Sequence, residues 1–220
     1  MRSGRWLVLL ELIPPVAGFL AYAVMTQVAG PSAVGYAEAA RIVSQPVFVL
    51  TVGLNAVVGP RSAEAALARD HNRAKSLNRS FGAILAAASL AYGALTAIPW
   101  WGNPLGVLVP QAYVVPGLVT ASVLALLAGG LVFPYRAELV YSGRLTSLPP
   151  VALLAGAFQC MAALTAGWIG GFARPLGSAI GGVVLMLGYG RHRRALYVHP
   201  TTADQEGKQP ATMQDQESNP

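Results

Sequence analysis

Between Arg5 and Arg61 the chain carries only three formal charges, Glu11, Glu38 and Arg41. The segment is otherwise dominated by Val, Leu, Ile, Ala, Phe and Gly. A water-facing domain places charge on about a quarter of its residues, so a stretch this long and this apolar cannot supply a solvated surface. The rest of the chain continues the pattern. Of the 220 residues, 54% are hydrophobic and 11% charged, and the mean hydropathy is +0.51. These values predict an all-α, polytopic protein of the cytoplasmic membrane.

About 20 apolar residues are needed to cross the hydrocarbon core as a helix. Six stretches meet that length, at 6–27, 34–60, 80–100, 117–135, 147–169 and 172–190. They are rich in Ala and Leu and show no alternation of period two, which excludes a β-barrel reading. Every Lys and Arg except Arg41 and Arg174 falls at the chain ends or in alternate connections. The intervening segments 30–33 and 101–116 are uncharged. Basic residues stay in the cytoplasm, so both termini are expected inside, with six transmembrane helices between them. The expected organisation is a bundle over 1–197 and a cytoplasmic tail over 198–220. That tail has almost no large apolar side chain and is expected to be disordered. Arg2, Arg5 and the run to Ala23 also resemble a cleaved signal peptide. Glu11 and Pro14-Pro15 interrupt its apolar region, and cleavage would leave five helices against a six-helix charge pattern.

The basic clusters lack interleaved aromatic residues, so nucleic acid is not expected as a partner. Cys160 sits alone in an apolar run and His71, His192 and His199 lie outside the spans. No metal or cofactor is expected. Paired carboxylates, nucleophile–base pairs and a GxxxxGK[ST] loop are absent from the sequence, so no enzymatic activity is expected. The connection 61–80 carries mixed charge and helix formers, which predicts a short interfacial helix. Gly177 with Gly181, and Ser178 with Gly182, have the spacing of close helix packing. Pro14, Pro15 and Pro46 are expected to kink their helices, whereas Pro149-Pro150 falls at a helix start, where proline is tolerated.

The second span is the most informative. At about 100° per residue, Glu38, Arg41, Ser44, Gln45, Thr51 and Asn55 share an arc of about 140°. Such a helix cannot face lipid on every side. Glu38 and Arg41, three residues apart, can pair along the helix. A pair that snorkels to the interface is one reading. The other is a cavity cation kept charged by its neighbour until an anion arrives, since ionisable groups within the membrane usually serve function. In the first span Glu11 shares a face with Gly18, Tyr22 and Thr26. It reads either as a protonatable coupling carboxylate or as an interfacial group near Arg5.

With these residues placed, the run VGYAEAARIVSQPVFVLTVGLNAVVGPRSAEAALARD resembles the second helix of a six-helix half in polysaccharide flippases. These belong to the multidrug/oligosaccharidyl-lipid/polysaccharide exporter superfamily. The resemblance rests on Gly35, Tyr36, Ala37, Ala40 and Pro60, followed by Arg61 and Glu64, and extends loosely over 6–195. It implies transport of polyprenyl-diphosphate-linked oligosaccharide by alternating access between two six-helix bundles, for polysaccharide biosynthesis. It implies that Arg41 meets the diphosphate, with Ser44, Gln45, Thr51 and Asn55 as hydrogen-bonding neighbours. The chain offers one bundle, most like the C-terminal half. A homodimer, a separately encoded second half and a truncated gene product are the three ways to reconcile that. Two other readings stay open: a non-transporting membrane subunit of an envelope-polysaccharide assembly, and a small-solute or drug exporter of the same superfamily.

Overall fold

The chain reverses direction inside its first helix. In the computed structural model, which describes residues 2–98, 100 and 102–198, helix α1 (Arg2–Leu67) contains one residue with non-helical dihedrals, Gly30 at φ 80° and ψ 171°. Positive φ is open to glycine, and the residue before a proline is pushed out of the α region. Gly30 followed by Pro31 therefore breaks the helix where neither residue would alone. The two arms, 2–29 and 31–67, fold back on each other. The Tyr22 hydroxyl donates to Glu38 Oε2 at 3.2 Å, although a straight helix would hold residues 16 apart at about 24 Å.

Seven further α-helices follow among the described residues: α2 (His71–Ala97), α3 (Pro104–Leu108), α4 (Leu118–Gly130), α5 (Phe133–Tyr141), α6 (Leu148–Ala163), α7 (Ala166–Ile169) and α8 (Ala173–Val198). No strand occurs among these residues. Five helical stretches are long and apolar enough to cross a membrane: Gly4–Leu67, His71–Ala97, Leu118–Tyr141, Leu145–Ala163 and Ala166–Ala195. The first is more than twice the length one crossing needs, and Gly30 divides it into two apolar arms.

Three clusters tie the bundle together. Val43, Val47, Phe81, Leu85, Val119 and Val123 join the second arm of α1 to α2 and α4. Leu10, Leu139, Leu148 and Tyr189 join the first arm to α5, α6 and α8. Ala21, Met25, Ala37, Ala163 and Ala173 close the end near the reversal. Small residues set the spacing. A Cβ on Gly182 would lie 2.8 Å from Gly129 N and 2.9 Å from the Ala128 carbonyl carbon, so α8 touches α4 backbone to backbone. Gly177 and Gly181 approach α6 at Gln159 and Ala155 in the same way, as the small-residue spacing led us to expect.

Two local expectations need correction. The connection 61–80 holds no separate interfacial helix: the second arm runs to Leu67 and α2 begins at His71, with Asp70 capping α2 by accepting from Arg73 N at 2.9 Å. Helix formers on both sides simply extend the two spans. Helical dihedrals run through Pro14, Pro15 and Pro46, so these prolines do not end their helices, and the one break in α1 lies at Gly30. The fifth stretch, expected over 147–169, is divided, with α6 ending at Ala163 and α7 beginning at Ala166. Pro149 and Pro150 do stand in the first turn of α6. The tail expected to be disordered lies, from His199 onward, outside the described residues.

The packing predicts a contrast between two glycines. Gly182→Ala must push two backbones apart and is expected to cost about 1–3 kcal/mol. Gly53→Ala, whose Cβ would meet nothing within 4 Å, should be neutral or slightly stabilising because alanine is the better helix former. Thermal unfolding of both variants in detergent reads the difference, and equal melting temperatures would contradict the close α4–α8 contact.

Candidate functional site

Two arginines meet at the end of the bundle near the reversal. Arg41, on the second arm, donates from Nε to Glu38 Oε2, the oxygen that also accepts from Tyr22. The spacing of three residues puts the pair on one helix face, and the fold-back brings Tyr22 to it from the other arm. Arg174, in the first turn of α8, lies over the Tyr22 ring, its guanidinium carbon 5.0 Å from the ring centroid. Its Nη1 donates to Ser178 Oγ at 2.8 Å and to Gln159 Oε1 at 3.3 Å. Its Nε is buried and has no hydrogen-bond partner. Its Nη2 packs so closely on the first arm that a Cβ on Gly18 would lie 3.2 Å away. Glu38–Arg41, Glu11–Arg136 and Glu138–Arg193 form ion pairs, and Arg174 belongs to none of these three. Glu38 thus answers Arg41, and Arg174 adds a second guanidinium without a carboxylate of its own, leaving this cluster with one net positive charge. Arg41 and Arg174 both line a small cavity of about 100 Å³ with Tyr22, Ser44, Ser122 and Ser178.

A larger groove of about 500 Å³ runs from there toward the opposite end of the bundle. Leu10, Ile13 and Ala17 of the first arm form one wall, and Phe48, Thr51 and Val52 of the second arm form the other. Gly129, Gly130, Gly156 and Gly182 line it from α4, α6 and α8. At its far end Glu11 pairs with Arg136 of α5, and both side chains line the groove.

The six polar residues of the second arm do not act as one face. Ser44 and Thr51 are fully buried, but each hydroxyl donates to its own helix, to Arg41 O at 2.9 Å and to Val47 O at 2.8 Å. The Asn55 Oδ1 is buried without a partner. Glu38 and Arg41 stand at the rim, with side chains 39% and 49% exposed, and Gln45 is partly buried. Val43 and Val47, expected on the apolar side opposite, are core. The inward direction of the helix therefore lies between the polar arc and its opposite: Ala40, Val43 and Val47 pack toward α2 and α4, and Ala37 packs with Ala21, Met25, Ala163 and Ala173. Glu11 pairs with Arg136, not with Arg5, whose guanidinium lies over Trp6 at 5.5 Å.

Sequence reasoning missed Arg174, Gln159 and a second buried centre. Arg174 had one signal, as a base on a side otherwise almost free of them. The other centre is Glu138, on α5, which has no exposed surface. It accepts from Ser62 Oγ at 2.7 Å, Asn78 Nδ2 at 2.6 Å and Arg193 Nε at 2.6 Å. These partners come from the second arm, α2 and α8, so one carboxylate joins four segments. Its place in the short run FPYRAELVY between two arginines made it look like a connection residue. Among the described residues no group of three or more His, Cys, Asp or Glu side chains comes together to hold a metal ion.

No protein-family model matches the chain, and neither a curated protein nor a solved structure matches it significantly.

Removing one member of a buried ion pair strands the other and typically costs about 3–5 kcal/mol. Glu138→Ala is expected to show that loss in detergent unfolding, and Arg193→Met a similar one. The double variant should lose much less than the sum. Full additivity would contradict the pairing.

Proposed function

We propose that this chain is one half of a membrane transporter, crossing the cytoplasmic membrane six times with both termini inside. It moves a polyprenyl-diphosphate-linked oligosaccharide across that membrane for polysaccharide biosynthesis, by alternating access against a second bundle. The second bundle is another copy of this chain or a separate six-helix partner. The observation that carries this reading is Arg41: a cation at membrane depth, held by Glu38 yet half-exposed at the rim of the bundle. Lipid is a poor neighbour for that group, and a facing bundle would turn the rim into the wall of an enclosed pathway. The planar guanidinium suits the two-pronged binding of phosphate oxygens. Glu38 keeps it oriented, and Glu11, already coupled to Arg136, is placed to exchange a proton as the two arms move.

One observation favours a second reading, a membrane subunit that does not transport. The Ser44 and Thr51 hydroxyls donate to their own helix, which leaves fewer donors for a sugar than the polar arc suggested. In that case the rim around Arg41 is an interface with a partner helix.

Flipping of a fluorescent polyprenyl-diphosphate oligosaccharide in proteoliposomes separates the two. Transport by the wild type that falls at least about tenfold in Arg41→Ala, with partial recovery in Arg41→Lys, is expected for a lost charged hydrogen bond. Wild-type rates in Arg41→Ala would overturn the assignment. Disulfide trapping of rim positions to a partner helix, with no transport, would favour the second reading.

A further inference from the structure

We propose that the Arg174 cavity and the groove form one binding site within a single bundle, for a single-chain amphiphile with one phosphate head group. The proposal does not rest on transport or on a second bundle. Ala125, Leu126 and Ser178 line both spaces, so the charged cavity opens directly into the apolar groove.

The head-group end is argued from charge. The cluster of Arg41, Arg174 and Glu38 carries one net positive charge in a chain whose neighbouring helices are apolar. Burying an unbalanced charge is costly, and the cost falls when an anion is bound with hydrogen bonds. Arg174 has an unsatisfied buried Nε and no carboxylate partner. Ser44 and Ser122 donate their hydroxyls to backbone carbonyls, so an oxyanion would meet the two guanidiniums and the Ser178 hydroxyl, which itself accepts from Arg174. A space of about 100 Å³ suits one phosphate group. Arginine binds such a group through parallel N–H donors.

The chain end is argued from the groove. Its volume of about 500 Å³ is of the size of one long acyl chain, and its walls are Leu10, Ile13, Phe48, Val52, Leu126 and Leu185. The Glu11–Arg136 pair closes its far end with matched charges, so only the Arg174 end attracts an anion. Free phosphate would use the small cavity alone, whereas a lipid phosphate would use both.

Native mass spectrometry of the detergent-solubilised chain distinguishes them, using 1-palmitoyl lysophosphatidic acid, inorganic phosphate and 1-palmitoylglycerol as probes. The expected result is preferential retention of lysophosphatidic acid. Arg174→Gln should weaken it at least about tenfold, as expected for a charged hydrogen bond. Val52→Trp, at an exposed position lining the groove, should weaken it comparably while leaving phosphate binding unchanged. Unaltered retention in either variant overturns the proposal. Phosphate binding as tightly as lysophosphatidic acid would reduce the site to an oxyanion pocket, and palmitoylglycerol binding as tightly would reduce it to an apolar groove. Both results reject the joint site.

Discussion

The reversal at Gly30-Pro31 is the constraint on which the other features depend. Without it, the first 66-residue helix would extend far beyond any bilayer, and Tyr22 could not reach Glu38. With it, two apolar arms lie side by side, clasped near the turn by Tyr22, Glu38 and Arg41. The remaining helices then pack around a hairpin. The groove exists because the arms meet at that end and are lined farther on by glycines of α4, α6 and α8.

Charge is distributed unequally along this frame. At one end Glu11 answers Arg136, and Glu138 accepts from Arg193, Ser62 and Asn78. Those pairs are balanced and bind helices to one another, and at Glu138 the buried carboxylate holds only while its partners stay in place. At the other end Glu38 pairs with Arg41, and Arg174 beside them is held by Gln159, Ser178 and the Tyr22 ring. Imbalance of that kind does not help a bundle hold together, which is why the functional and ligand readings both centre there. The same asymmetry separates the roles of the three glutamates: Glu138 is a fastener without exposed surface, Glu38 orients a cation, and Glu11 lines a groove.

Much of this was legible in the sequence, for reasons that can be named. Sparse charge and long apolar runs announced helices suited to a membrane, and Gly30-Pro31 in an uncharged connection announced the first turn. The spacing of three put Glu38 against Arg41, and the spacing of four predicted the close packing at Gly177 and Gly181. Contacts between distant segments were not legible. Tyr22 over Arg174, Glu11 with Arg136, and Glu138 with Ser62 and Asn78 depend on which helices are neighbours, and helical periodicity carries no information about that. Periodicity puts the polar residues of the second arm on one arc, yet Ser44 and Thr51 are buried while Glu38 and Arg41 stand at the rim. Small side chains at Ala37, Ala40 and Ser44 let other helices approach there, and packing outweighed polarity.

The antiparallel hairpin is the claim on which the groove, the clasp and the shared site all stand. Its most direct test is a pulsed dipolar distance measurement between spin labels at positions 19 and 42, replacing Phe19 and Ile42 in a Cys160→Ala background reconstituted in lipid. Both positions are exposed, so labels should not disturb the core. Neighbouring antiparallel helices predict a separation below about 25 Å, from helix axes 8–10 Å apart plus the reach of the labels. A dominant distance of about 35 Å, the rise of 23 residues of uninterrupted helix, would contradict the hairpin and everything built on it.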